Sequence, residues 1–363
     1  MSDGEAQDPR PPVRRPERIG LGRRALGLGA LAAAGGLMLG SRASAALPDD
    51  IRILVGTPLG SPYDRHARLL ARHLPRLHSG MRITVETIPR AGGKLAAKLV
   101  HESAGDGRTI AMLPSGLIFA EILGEEGVAF SLPRLQWIGS LDAEPRVLVL
   151  SRRLGIDSFD ALRRHAGPIS LAAVSTASAS WYEPLLLNRI LGIRLKPVPG
   201  YSSVMRSGAL MSGEVGAAIG SLETFTALLA EGHVNVVLRL NDLPLPGIAA
   251  PPPALVASEA AAAHPELMRL LDAHFRFGRA MCLGPRTPSA MTLAWRAAID
   301  ELVRDATYRG EIDAARLTLL PLPGAALETS IAAVFESAAA IRGALDAALA
   351  CGMTIADNGP PGC

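Results

Sequence analysis

The chain has 363 residues, of which 37 are basic and 34 acidic, and hydrophobic residues make up 48% of it. This length exceeds one comfortable core, so two domains are expected. The first 45 residues hold 7 of the basic and 4 of the acidic side chains, which leaves 30 of each and no net charge in the remainder. This balance, without a basic patch interleaved with aromatic residues, argues against nucleic-acid binding.

The first 45 residues have the three-part layout of an export signal. Arg23 and Arg24 precede an uncharged run over residues 25–41, and a small-residue cleavage site follows at 43–45. The paired arginines favour the twin-arginine route over the general one. We therefore predict a periplasmic protein cleaved near Ala45. An uncleaved membrane anchor is the alternative, although a bilayer span takes about 20 apolar residues.

Residues 51–116 predict two successive units of strand, Gly/Pro turn and helix, followed by a third strand. A glycine turn that leads into a helix directs unpaired N–H groups and the positive end of the helix dipole at one spot. Such a spot binds anions. The predicted ranges are strands at 51–55, 81–86 and 110–113, turns at 56–64, 89–93 and 106–109, and helices at 67–77 and 94–103.

Strand and helix patterns continue to alternate downstream, which is typical of parallel α/β layers. One unit repeats the opening arrangement, with a strand at 169–174, a small-residue turn at 175–180 and a helix over 181–191. The proline-dense stretch at 243–254 must be a loop. Further predictions are strands at 146–150, 194–198, 215–219, 234–238, 277–283 and 317–320, an irregular stretch at 124–136, a turn at 199–203 with a helix to 212, and helices at 159–165, 288–307 and 325–349.

These patterns predict an α/β protein with two hinged lobes, parallel-rich sheets and a central cleft. The crossing segments are expected near 146–151 and 234–240. Cys351 and Cys363 flank a Gly/Pro-rich tail, and a disulfide between them or two free thiols are both open. The predicted divisions are the signal at 1–45, lobe 1 at 46–145, lobe 2 at 146–240, a return to lobe 1 with C-terminal helices at 241–350, and a flexible tail at 351–363.

Motifs for catalysis and for cofactors are missing from the sequence. It has no Gly-x-Ser-x-Gly elbow, no phosphate loop and no dinucleotide-binding Gly-x-Gly-x-x-Gly after the first strand. His66, His73 and His78 fall on one helix without an i, i+4 pair, so we predict solvated histidines and no metal site. We therefore predict a binding protein without cofactors rather than an enzyme; an exported α/β enzyme is the alternative.

Two turns supply the candidate ligand groups, one from each lobe. The first offers backbone N–H groups and hydroxyls suited to a carboxylate, and the second offers hydroxyls. Asp64 is assigned either a role at the helix start or a contact with an ammonium group. Serine-rich turns are also ordinary helix starts. The predicted ligand-binding residues are Thr57, Leu59, Gly60, Ser61, Tyr63, Asp64, Ser175, Thr176, Ser178, Ser180, Tyr201 and Ser202.

The segment from residue 51 to 112 resembles the Bug-type receptors of tripartite tricarboxylate transporters. Pro58, Gly60 and Asp64 stand in register with the family turn Pro-Phe-Pro-Ala-Gly-Gly-Ser-Thr-Asp. The matches to two later family turns, Asn-Arg-Pro-Gly-Ala-Gly-Gly and Pro-Asp-Gly-Tyr-Thr, are Pro89, Ala91, Gly92, Gly93, Asp106, Gly107 and Thr109. The resemblance implies a monomeric, type II periplasmic binding protein that delivers a small carboxylated ligand to membrane transporter subunits. A module that reports ligand occupancy to a sensor kinase is the alternative.

The second lobe departs from the family pattern. Its Gly-x-Gly turn reads Ala177-Ser178-Ala179, and Glu183 stands where a histidine is usual. The methyl groups of Ala177 and Ala179, at the two glycine positions, hinder the close approach of the backbone to a ligand carboxylate. We therefore expect the ligand, or the way in which it is held, to differ from the common dicarboxylate pattern.

Overall fold

The computed structural model describes residues 46–357 and residue 359. The predicted export signal at 1–45 and Cys363 of the open disulfide question lie outside these described residues. The first series of elements is β1 (Asp50–Val55), α1 (Pro62–Leu77), β2 (Arg82–Thr87), α2 (Lys94–His101), β3 (Thr109–Met112), α3 (Leu117–Leu123) and β4 (Gln136–Ser140).

The chain then builds a second series and returns to the first. The second series is β5 (Arg146–Ser151), α4 (Phe159–Arg164), β6 (Ile169–Ala173), α5 (Ala179–Leu191), β7 (Leu195–Pro199), α6 (Ser203–Ser212), β8 (Ala217–Ser221), α7 (Thr226–Ala230) and β9 (Val234–Arg239). The returning part is α8 (Glu259–Ala262), α9 (Pro265–Phe277), β10 (Ala280–Leu283), α10 (Ser289–Leu302), α11 (Ala306–Ala314), β11 (Leu322–Pro323), α12 (Gly324–Glu336) and α13 (Ala338–Ala356).

The strands form two mixed sheets, each the centre of one lobe. The first sheet has the order β11-β4-β10-β3-β1-β2, and the second has the order β7-β6-β8-β5-β9. β1 runs parallel to β2 and β3, and β6 runs parallel to β7 and β8. The carboxyl ends of parallel strands and the turns that follow them therefore meet at one edge of each sheet, where α/β proteins bind ligands.

The start of α1 follows directly from local sequence. Ser61 is the N-cap, and its hydroxyl accepts a hydrogen bond from the Asp64 N–H at 3.3 Å. Pro62 occupies the first helical position, where the missing N–H costs nothing. The face that carries Leu70 and Leu74 is buried. Capping, proline and apolar spacing agree, so this element is set by its own residues.

The lobes are joined next to the predicted segments. The crossings were expected near 146–151 and 234–240, and these ranges form β5 and β9, which pair with each other inside the second sheet. The crossings lie just before β5 and just after β9. Gly278, just before β10, packs against Asp142 of the first crossing. A Cβ at position 278 would stand 1.7 Å from the Asp142 carbonyl oxygen, so a larger residue has no room there.

Packing between the lobes is continuous. One hydrophobic cluster contains Leu54 of β1 and Leu171 of β6, and Phe119 of α3 stacks on Tyr182 of α5 with ring centroids 5.0 Å apart. The C-terminal helix α13 packs along α5, and a Cβ at Gly352 would lie 2.3 Å from the Leu185 carbonyl oxygen. By length and composition alone α13 is apolar enough to cross a bilayer, although a third of it is buried against the protein.

Several predicted elements were wrong. The irregular stretch ends at β4, which was missed, and the single helix predicted at 325–349 is two helices that meet at Ser337. The strand predicted at 317–320 does not form. There the N–H groups of Thr318 and Leu320 donate to the carboxylates of Glu223 and Asp142 rather than to a neighbouring strand. The alternation of apolar residues in a sequence cannot show that backbone N–H groups will bond to distant carboxylates instead of to a neighbouring strand.

Candidate functional site

A cavity of about 540 Å³ lies between the lobes at the carboxyl ends of β1, β3 and β6. This size falls within the range of small-molecule sites. The first lobe contributes residues 56–58, 61–63 and 114–116 together with Pro89, Ala91 and Gly92. The second contributes 174–180, 219–221, Arg206, Thr224 and Arg146 at the start of β5, and Glu144 comes from the crossing between the lobes.

Three of the residues predicted in the first turn line this cavity: Thr57, Ser61 and Tyr63. The Thr57 and Ser61 hydroxyls hydrogen-bond each other at 2.8 Å. The Tyr63 hydroxyl donates to Glu144 Oε1 at 2.9 Å. Burial, and then the charge of Glu144, raise the pKa of this phenol, so it remains a neutral donor.

The other three residues predicted in this turn do not line the cavity. Leu59 projects outward and is 67% exposed. The Asp64 carboxylate is buried, accepts the Gly60 N–H at 2.9 Å and pairs with Arg68. The expected anion-binding N–H at Gly60 is therefore already occupied by the chain's own carboxylate, and Asp64 serves the helix start.

All four residues predicted in the second-lobe turn line the cavity: Ser175, Thr176, Ser178 and Ser180. The Ser178 hydroxyl donates to the Ser175 carbonyl oxygen at 2.7 Å, and the Ser180 hydroxyl accepts the Val174 N–H at 3.0 Å. These bonds hold the turn in shape. The start of α5 then faces the cavity, and the first N–H groups of a helix have no partner within the helix.

Tyr201 and Ser202 were predicted to contact ligand, but they lie away from the cavity lining. The Tyr201 hydroxyl donates to Glu214 at 2.6 Å, and the Ser202 hydroxyl caps α6 by accepting the Met205 N–H at 3.2 Å. Trp181 and Tyr182, which follow the second-lobe turn, are also outside the lining. Tyr182 instead packs between the lobes. The side chains of Tyr201 and Ser202 are thus occupied by local hydrogen bonds rather than directed into the cavity.

The second-lobe turn touches two other turns of the first lobe, at Gly92 and Gly116, across the cleft. A Cβ at Gly92 would lie 2.8 Å from the Ala177 carbonyl oxygen, and one at Gly116 would lie 3.0 Å from the Ala179 amide nitrogen. Gly92 also has φ of +66°, which favours glycine. The lobes are thus closed over the cavity, and there is no room for larger side chains where they meet.

A buried ionic network beneath the cavity was not predicted. Arg146 pairs with Glu144 and Glu183, while Arg279 pairs with Glu144 and Glu223. Burial alone would raise the pKa of Glu144, but the guanidinium groups of Arg279 and Arg146 outweigh it and lower the pKa to about 2. The one feature of the sequence that could have indicated this network is Arg146, a charged residue at the start of the largely apolar strand β5.

Arg206 is the second arginine of the cavity wall, and it was also missed. Its Nη1 donates to the Ile219 carbonyl oxygen at 2.8 Å, and its guanidinium stands 5.8 Å from the Phe225 ring centroid. Among the described residues no carboxylate pairs with it, and its buried Nε has no hydrogen-bond partner. Burial, and then the charge of Arg146, lower the pKa of Arg206 to about 10. It remains cationic at neutral pH.

Three buried side chains near the network lie close enough to hold a metal ion. Ligand atoms of His66, Asp142 and Glu223 are within 4.8 Å of one another. Arg279 already pairs with Glu223 and lies 3.7 Å from Asp142, so a guanidinium takes the counter-ion role. Burial and Arg279 lower the pKa of His66 well below its usual value. The prediction of solvated histidines was wrong for His66 and His73, which are buried.

This architecture defines a class, the two-lobed periplasmic binding protein fold, and thereby confirms the fold class predicted from sequence. The solved structure of the periplasmic binding protein BugD matches with a TM-score of 0.66 and 18% identity, covering 81% of this chain and 97% of that one. MatC from Rhodopseudomonas palustris with bound malate matches with a TM-score of 0.61 and 20% identity, covering 82% and 98%.

A TctC solute binding protein from Polaromonas is similar to the same extent, with a TM-score of 0.61 and 16% identity over 82% of this chain and 98% of that chain. No family model matches the sequence, and no curated protein matches it. The resemblance to Bug-type receptors is thus confirmed at the level of the fold. BugD and the Polaromonas protein are described as binding proteins, and MatC holds a malate.

Proposed function

We propose that this protein is an exported, monomeric solute-binding protein that captures a small organic carboxylate between its lobes in the periplasm. It releases the ligand unchanged to membrane transporter subunits. The observation that carries this proposal is the cavity between the lobes, whose walls include two hydroxyl-bearing turns from opposite lobes. The malate bound to MatC supports a carboxylate as the ligand class.

We assign the ligand contacts within the cavity lining. Thr57 and Ser61 offer hydroxyls from the first lobe, and the turn at 174–180 offers hydroxyls and the start of α5 from the second. Tyr63 closes the floor between them through its bond to Glu144. Both lobes must contact the ligand for it to favour the closed state, because a ligand shifts an equilibrium only by its differential affinity.

The function is tested by thermal-shift screening of the purified protein with mono-, di- and tricarboxylates, amino acids and aromatic acids. A ligand at 100 times its Kd stabilises the fold by about 2.7 kcal/mol, which is readily detected. Recovery of the ligand unchanged distinguishes binding from turnover. If amino acids or neutral solutes bind and no carboxylate does, the proposed function is wrong.

The site is tested by comparing Thr57→Val with Ser202→Ala in the same titration. Thr57→Val removes a hydroxyl that lines the cavity, and we expect ligand binding to weaken by about 1 kcal/mol. Ser202→Ala removes the cap of α6 outside the cavity, and we expect it to lower the free energy of unfolding by about 1 kcal/mol without changing affinity. Equal effects of both variants on affinity would contradict the assignment.

A further inference from the structure

The two arginines of the cavity wall differ in how their charge is balanced. Arg146 pairs with Glu144 and Glu183, which use all three of its guanidinium nitrogens. Arg206 is 6% exposed and, among the described residues, makes one hydrogen bond to a backbone carbonyl and no ion pair. The charged residues that line the cavity are therefore two arginines and one glutamate, an excess of one positive charge.

The surroundings of Arg206 compensate a buried cation only in part, through one backbone carbonyl and the Phe225 ring at 5.8 Å. It lies in the first turn of α6, the end of a helix where the dipole disfavours positive charge. Burying an unpaired charge is costly, and an apolar side chain of similar length would pack there without that cost. A single bond to the Ile219 carbonyl oxygen does not offset it. We therefore expect a methionine at this position to stabilise the protein at least as well as the arginine, which is typical of a residue that serves binding.

We propose that Arg206 is the residue that binds the ligand's carboxylate. This inference rests on the proposed function and deepens it by naming the second-lobe group that carries the charge recognition. A planar guanidinium matches a carboxylate in a two-point hydrogen bond. Binding supplies the ion-pair partner that Arg206 lacks among the described residues. It also explains how a lobe with alanines at 177 and 179 holds an anion without a glycine turn.

The test titrates wild type, Arg206→Met and Arg206→Lys with a panel of C3–C8 organic carboxylates and the primary amide of each. We expect Arg206→Met to bind the carboxylates about 10- to 100-fold more weakly, since charged hydrogen bonds are the strong ones. Its amide binding should be unchanged. Arg206→Lys keeps the charge but not the two-point geometry, so its affinity should be intermediate. The control is Arg153→Met, which removes an exposed second-lobe arginine whose hydrogen bond, within the part of the chain that the structure describes, goes to the Met211 carbonyl oxygen.

The outcomes distinguish failure of the role of Arg206 from failure of the proposed carboxylate binding. Carboxylate affinity within threefold of wild type in Arg206→Met overturns the role of Arg206 and leaves the proposed function standing. Failure of wild type to bind any carboxylate in the panel counts against both. A measurement without ligand adds an independent criterion: the melting temperature of free Arg206→Met should equal or exceed that of wild type. A fall of several degrees would assign Arg206 to the fold and overturn the inference.

Discussion

Replacing Arg279 with methionine removes the cation that holds the buried network together. Arg279 is fully buried, pairs with Glu144 and Glu223, and lies 3.7 Å from Asp142. Methionine fills much of the same volume without charge. Three carboxylates would then remain in the interior near one another. Breaking a buried pair by removing one partner costs about 3–5 kcal/mol at neutral pH, and we expect a loss of that order.

The loss should depend on pH with a predictable sign. In wild type the pKa of Glu144 is about 2, below its ordinary 4.5, so it contributes stability that is present above pH 4.5 and lost as pH falls toward 2. That contribution is about 3 kcal/mol. Without Arg279, the pKa of Asp142 rises further, because burial already raises it and Arg279 is the main charge that opposes burial. Glu144 keeps its pair with Arg146. The contribution of Asp142 to stability is lost as pH rises, so the variant should recover stability between pH 7 and pH 5.

Urea denaturation of both proteins at pH 5, 6 and 7 measures this difference. The control is Arg276→Met, which breaks an exposed pair with Asp272 and should change the free energy of unfolding by less than about 1 kcal/mol. A loss below 1 kcal/mol in Arg279→Met at pH 7 would refute the reasoning. So would a loss that is the same at pH 5 and pH 7, because it would indicate lost packing rather than unpaired charge.

Two further predictions concern closure and the raised pKa in the network. Gly116→Ala should weaken ligand binding three- to tenfold, because its Cβ would stand 3.0 Å from the Ala179 nitrogen where the lobes meet, yet φ of −59° accepts alanine without strain. Calorimetric titration with unfolding of the free variant checks this, and unchanged affinity would contradict it. Burial, despite Arg279, raises the pKa of Asp142 to about 6 from 3.8, so its contribution is present below pH 3.8 and lost as pH rises through 6. Asp142→Asn should therefore gain up to about 3 kcal/mol relative to wild type between pH 4 and pH 7, and a pH-independent difference would refute this.

The first-lobe turn shows what can be predicted from residues that are close together in sequence. Ser61, Pro62 and Asp64 fix the start of α1 through contacts within four residues, and the sequence therefore predicted both the turn and its place at the cavity. The same short range misled the assignment of Gly60 to the ligand, and it left open whether Asp64 serves the helix start or the ligand. A carboxylate that caps its own helix and one that faces a ligand have the same spacing in sequence.

The amino-acid sequence by itself determined the alternation of strands and helices, the two-lobed class and the pair of turns at the cavity, because periodicity, caps and glycines act over a few residues. Only the tertiary structure decided which charges meet. Glu144 and Arg279 are 135 residues apart, and Arg146 and Glu183 are 37 apart. Such pairs form when sheets and helices pack, and Arg206 is distinguished only by the absence of a pair among the described residues. The residue we infer to recognise the carboxylate was therefore visible only in the folded chain.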